Sequence, residues 1–176
     1  MSKKIYNKIS GLLFERPSYK FHLREIARLA GVHPNSAKSA LIKLKKEGIA
    51  AIEKRRHITE IFADMGSKSF ARKKRLFNFE KICDTGIIEH LERIFEPASI
   101  SLIGSYSRGE DIEKSDIDIV VADPAKKGVK EKDIARFEDM LKRKIHIIAA
   151  DYKDMSDEFY INLINGMLLY GYLKRK

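Results

Sequence analysis

The sequence predicts an α+β / α/β chain in two modules: a basic, mostly helical front part, and a back part with a small mixed sheet and helices. Three observations predict it. The formal net charge of +10 is unevenly placed, with +13 on residues 1–81 and −3 on residues 82–176. Two parts so different in charge suit different partners, and the basic one suits a polyanion. Apolar residues in the front part recur at helical spacing and are punctuated by glycines at turn positions. In the back part, DIDIVVA, residues 116–122, alternates with period two, the pattern of a strand.

At 176 residues, 44% hydrophobic and 34% charged, the chain has room for one ordinary domain or two small ones and is globular in composition. No apolar run approaches the ~18 residues of a membrane span. The opening MSKKIYNKIS lacks the apolar core of a secretion signal. A soluble, cytoplasmic chain with no membrane partner is expected. The single cysteine, Cys83, suits a reducing compartment and, within FEKICDTG, reads as a small core residue.

Residues 4–15 carry Ile5, Ile9, Leu12 and Leu13 at helical spacing, and Pro17 ends that element. In FHLREIARLAGVHPNSAKSALIKLKKEG, Ile26, Leu29 and Ala30 give one short helix an apolar face, and Gly31 suits a tight turn with positive φ. Pro34 suits the first position of the next helix, over 34–47, with Ala37, Ala40, Leu41 and Leu44 inward and Gly48 as its stop. His33 stands at the N-cap, where Ser, Thr, Asp or Asn is preferred. In IAAIEKRRHITEIF, Ile49 and Ile52 mark one β-like run and Ile58 and Phe62 another. The basic segment Lys54-Arg55-Arg56-His57 lies between them, as a positive hairpin tip.

Two helices about a glycine turn, followed by a basic hairpin, resemble the winged helix-turn-helix proteins. The resemblance covers residues 1–65 and implies a partner, duplex DNA, with helix 34–47 in the major groove and the hairpin on the backbone or minor groove. Outward Asn35, Ser36, Lys38, Ser39 and Lys43, with Arg55 and Arg56 of the hairpin, are the expected contacts. The cations there supply salt-dependent phosphate affinity, and Asn or Ser could touch base edges. A small helical module used only for dimerisation is the alternative. A homodimer on paired half-sites would suit the first reading.

Residues 66–96 read as a helical connector. Phe70, Leu76, Phe79 and Ile82 are its apolar points, and Arg72-Lys73-Lys74-Arg75 reads as a solvated face. Gly86 interrupts it, and a short helix then runs to Pro97.

The back module, 97–176, carries the chemistry. SISLI, residues 99–103, reads as a strand, and Gly104-Ser105 turns from it into a helix, leaving backbone N–H groups that can hold an anion. Asp116 and Asp118 share one face of the strand, with Cα atoms about 6.6 Å apart at two residues of strand rise. Side chains at that spacing can converge on one hard cation, which relieves the repulsion two close carboxylates would otherwise suffer. A solvated edge strand is the plainer alternative, disfavoured by the flanking Ile117, Ile119, Val120 and Val121.

Gly104-Ser105, ten residues, then Asp116-Ile117-Asp118 resembles the signature of the polymerase-β-type nucleotidyltransferases. The form GSYSRG…SDIDIVV is most similar to the minimal nucleotidyltransferases of archaea and bacteria. The resemblance extends over residues 95–172, through a final helix in NLINGMLLYGYL, and the whole chain resembles an archaeal-type fusion of a winged helix to such a domain. It implies that Gly104 and Ser105 hold the triphosphate of a nucleoside triphosphate, with Arg108 on phosphate charge. It further implies that Asp116 and Asp118 bind Mg²⁺ or Mn²⁺ for attack at the α-phosphate.

The family's third carboxylate, on a later strand, falls here at His146 in a strand over 145–149; Asp151 lies just beyond. A neutral imidazole can bind a metal but brings no negative charge to Mg²⁺. Three functions follow: a transferase modifying a protein or small molecule, a transcription regulator that senses nucleotide without turnover, and an antitoxin-like protein that docks on a toxin-like partner.

Overall fold

The structure is a computed structural model and describes residues 2–55, 58–126 and 131–175; the side chains of residues 55, 131 and 132 lie outside that description. The chain divides into two compact units, Met1–Phe77 and Asn78–Lys176.

In the first unit, α1 (Lys3–Glu15) buries Ile9, Leu13 and Phe14. Helix α2 (Leu23–Ala30) ends at Gly31, whose φ of 61° makes the left-handed turn, and α3 (Pro34–Lys46) follows with Pro34 in its first turn. His33 does cap α3: its Nδ1 accepts from the Asn35 N–H at 3.3 Å, the bond a Ser or Asp side chain would supply. The α3 stripe Ala37, Ala40, Leu41 and Leu44 is buried, as its spacing predicts. In α2, by contrast, Leu29 is exposed and Ala27 is buried, because the short helix turns a narrower stripe inward than its apolar composition suggests.

Strands β1 (Ala50–Arg55) and β2 (Ile58–Ala63) form an antiparallel hairpin running from Ala50 opposite Ala63 to Arg55 opposite Ile58. Lys54 and Arg55 therefore belong to β1 rather than to the tip; Arg56 and His57 lie outside the described residues. Ala50, Ile61 and Ala63 supply its buried side chains, with Ile49 buried just ahead of β1, whereas Ile58 is exposed. Phe21 adds a pair of backbone hydrogen bonds to Ile61, giving the hairpin a one-residue third partner.

Helix α4 (Lys68–Thr85) spans the boundary between the units. Its buried stripe is Phe70, Lys74, Asn78 and Ile82, one residue per four, with two polar members. Leu76 is exposed instead, and Lys74 is not part of a solvated face. Cys83 is exposed too, which corrects its assignment to the core.

In the second unit, α5 (Ile87–Phe95) precedes β3 (Pro97–Ile103), and the short α6 (Gly104–Arg108) leads by a loop to β4 (Ile117–Pro124). Then come α7 (Glu131–Leu141), β5 (Ile145–Ala150), a single 3₁₀ turn at Tyr152–Asp154, α8 (Asp157–Ile164) and β6 (Met167–Gly171). The four strands form one mixed sheet in the order β5-β4-β3-β6, with β4 and β5 parallel and the other pairs antiparallel.

Strand β4 is buried on both faces, which is why it reads as a nearly continuous apolar run. Ile117, Ile119 and Val121 pack with Ile100 and Leu102 of β3 against α5 and α7. Val120 and Ala122 pack on the opposite face with Tyr152, Met155 and Leu163. Each fully buried aliphatic side chain contributes about 1.5–3 kcal/mol, so β4 is a stiff base for whatever its first residues carry.

The expected final helix stops at Ile164, and MLLYG is an edge strand on β3. Glycines permit the close approach. A Cβ on Gly166 would come within 2.5 Å of the Leu102 carbonyl oxygen, and one on Gly171 within 2.0 Å of that of Ala98.

Candidate active site

Strand pairing places His146 beside Asp118 on one side and Ile103, the last residue before the Gly104 turn, on the other. Asp116 stands one residue ahead of β4 rather than inside it, which corrects the expected start of that strand. It still faces the same way. Asp116 Oδ2 lies 3.9 Å from His146 Nε2, and Asp118 Oδ1 lies 3.4 Å from His146 Nδ1. One imidazole thus spans both carboxylates on an open surface, its side chain 59% exposed.

Among the described residues no lysine or arginine pairs with Asp116 or Asp118. Two carboxylate oxygens so placed suit a hard divalent cation. Mg²⁺ is commonly held by one or two carboxylates with substrate phosphates and water completing its shell. The donors fit such a partial shell and no more: among the described residues, no group of three or more His, Cys, Asp or Glu is arranged to hold a metal ion. Asp151 caps the 3₁₀ turn past the far end of β5, away from His146, and lines a separate concavity of about 440 Å³ with Asp123, Tyr152, Lys153 and Arg175.

Gly104 has φ of 72°, and a Cβ there would meet Asp118 Oδ2 at 2.7 Å. The glycine is thus required first by the chain's own carboxylate. The Ser107 hydroxyl donates to the Gly104 carbonyl at 2.8 Å and locks the turn. Ser105 is half-buried, and its carbonyl accepts from the Glu110 N–H at 3.0 Å. Arg108 is exposed and donates from Nε to Glu110 at 2.7 Å, so its guanidinium is already engaged.

Behind the turn lies a buried polar cluster that no local pattern announces. Asn78 of α4 donates to the Tyr106 carbonyl at 2.9 Å and to Asp111 Oδ1 at 2.7 Å, and Arg143 reaches the other oxygen of Asp111 at 3.3 Å. Isolated polar letters in helix and loop carry no periodic signal; only their exclusion from solvent, seen in three dimensions, identifies them.

In the first unit, Asn35, Lys38 and Ser39 are exposed on α3 beside exposed Ile42, and Ser36 is half-buried. The Ser39 hydroxyl is turned back onto the Asn35 carbonyl at 3.1 Å. Lys43 folds back as well, 3.8 Å from Glu47 and over the Tyr6 ring. The Tyr6 hydroxyl donates to Glu47, which holds that carboxyl below its ordinary range.

Residues 85–169 match the family described as nucleotidyltransferase domain. The matched stretch contains the Gly104 turn, both carboxylates and His146. No curated protein matches the chain.

Proposed function

We propose that the second unit transfers a nucleotidyl group from a nucleoside triphosphate, with Asp116 and Asp118 as metal ligands. The observation that carries this reading is the position of Asp118, between the Gly104 turn and His146, inside the nucleotidyltransferase match. An acceptor hydroxyl attacks the α-phosphorus and gives up its proton to solvent, the bond to the bridging oxygen breaks, and pyrophosphate leaves with that electron pair. Mg²⁺ or Mn²⁺ held by Asp116 and Asp118 would neutralise phosphate charge and acidify the attacking hydroxyl. The chain's own part is positional: Gly104 and Ser105 at the turn receive the phosphates, Arg108 exchanges Glu110 for phosphate oxygen, and His146 orients both carboxylates.

A second reading rests on His146 itself. An imidazole where a third carboxylate is expected leaves the site one negative charge short, which favours nucleotide binding over turnover. Protein incubated with lysate, Mg²⁺ or Mn²⁺, and ATP labelled at the α or the γ position separates the two. Label on an acceptor from α- but not γ-labelled ATP is the result expected of a transferase. Calorimetric Mg²⁺-ATP binding without label, together with transfer gained in His146→Asp, would replace transfer by sensing. No metal-dependent ATP binding at all would sink both readings.

We infer further that residues 1–65 form a winged helix-turn-helix that binds duplex DNA. The positive charge of this segment, the exposed Asn35 and Lys38 of α3, and the β1–β2 hairpin after it support that reading.

A further inference from the structure

We propose that Arg143 is the positioning residue of this site, setting the place of Asp116 by clamping the loop that leads to it. The proposal rests on the reading of Asp116 as a metal ligand, but the clamp itself is a property of the backbone.

Asp116 lies outside β4 and so lacks the strand pairing that holds Asp118. Its placement must come from its neighbours. On one side, Arg143 Nη1 donates to the Ser115 carbonyl at 3.1 Å and also to the Ile112 carbonyl, while Nη2 meets Asp111 at 3.3 Å. On the other, the Ile117 N–H donates to the Lys144 carbonyl at 2.9 Å. The residues before and after Asp116 are therefore both tied to the two-residue segment Arg143-Lys144, and His146, which touches Asp116, follows two residues later. One short run of chain supplies the grip on the loop, the first tie of β4 and the imidazole between the carboxylates.

The clamp is rigid at both ends. The Arg143 side chain is 9% exposed and that of Asp111 is 1% exposed, so their pair is shielded from competing water. Asn78 fixes Asp111 from behind. Lys142, with φ of 55°, turns the chain out of α7 so that Arg143 comes back under the loop. The loop closes on itself through Ser115, whose N–H donates to the Ile112 carbonyl and whose hydroxyl accepts from the Ile112 N–H, each at 3.0 Å. Lysine cannot replace this arrangement, because a single ammonium does not present the planar fork that reaches two carbonyls and a carboxylate together.

The test uses the full chain, with Arg143→Gln and, should that variant not fold, Arg143→Lys. Amide hydrogen exchange of residues 112–118 is the readout that needs no metal. Exchange there should rise about tenfold or more, as the loss of hydrogen bonds from a charged donor implies, while β3 and α5 stay protected. Mn²⁺ alone is then titrated. In the wild type, Asp116→Asn should weaken Mn²⁺ binding; in the Arg143 variant the same change should have little further effect, whereas Asp118→Asn should still weaken it. Unchanged exchange at Ser115 and Ile117, or an undiminished effect of Asp116→Asn, would overturn the proposal. If wild-type Mn²⁺ binding ignores Asp116, the metal reading fails, and the exchange result alone decides whether the clamp stands.

Discussion

Gly104 shows how much of the site rests on one missing methyl group. Its φ of 72° is a conformation that L side chains adopt at a cost of about 1–2 kcal/mol. A Cβ there would also press on Asp118 Oδ2 and force a shift of the carboxylate whose other oxygen, Oδ1, lies 3.4 Å from His146 Nδ1. Gly104→Ala should therefore lower unfolding free energy by about 1–2 kcal/mol in urea titration and weaken Mn²⁺ binding as well. A variant that loses stability yet binds Mn²⁺ as the wild type does would show that the turn and the carboxylate are independent. His33, a residue poor by type at this position, serves as a cap because its Nδ1 accepts from the Asn35 N–H.

At the scale of elements, α5 and α7 meet at His90. Its ring lies tilted against Phe137 with centroids 5.1 Å apart, Arg136 approaches Nδ1 at 3.4 Å, and Nε2 is buried without a partner among the described residues. Burial, then the charge of Arg136, pushes this imidazole below its ordinary value, against the opposing pull of Asp133. The unfolded chain then takes up this proton at a higher pH than the folded one. Stability from this packing is full above the ordinary imidazole value of about 6.5 and falls as pH drops from there towards the lowered folded value. Thermal melts between pH 7.5 and 5.5 should show that fall, and His90→Gln should flatten it; an equal slope in the variant would refute the assignment. Strand β4 was legible because alternation and double burial act locally, and α3 because Pro34, its alanine stripe and Gly48 agree. Strand β6 was not: five residues after a helix pair with β3, some seventy positions earlier, and only that pairing makes them a strand. Nor was the inward course of α4, since Asn78 faces in to meet Asp111, a partner distant in sequence. The carboxylates and the turn were legible as a motif, whereas Arg143 has meaning only through carbonyls that no letter encodes.

At the scale of the whole molecule, two units with separate cores and opposite charge balance invite separate tests. If residues 1–65 bind DNA, affinity of the full chain for a duplex should fall linearly on a log–log salt plot. Lys38→Ala should reduce that slope by about one. Fluorescence anisotropy would measure both, and salt-independent binding, or none at low salt, would remove DNA from the account. The parallel ladder fixes the direction in which any side chain at position 146 points, since the backbone pairing with Asp118 does not depend on what that side chain is. Histidine and aspartate codons differ by a single base. The charge of this site can therefore be changed by one nucleotide substitution while the scaffold stays as it is, so a lineage can pass between a two-carboxylate and a three-carboxylate centre without refolding anything.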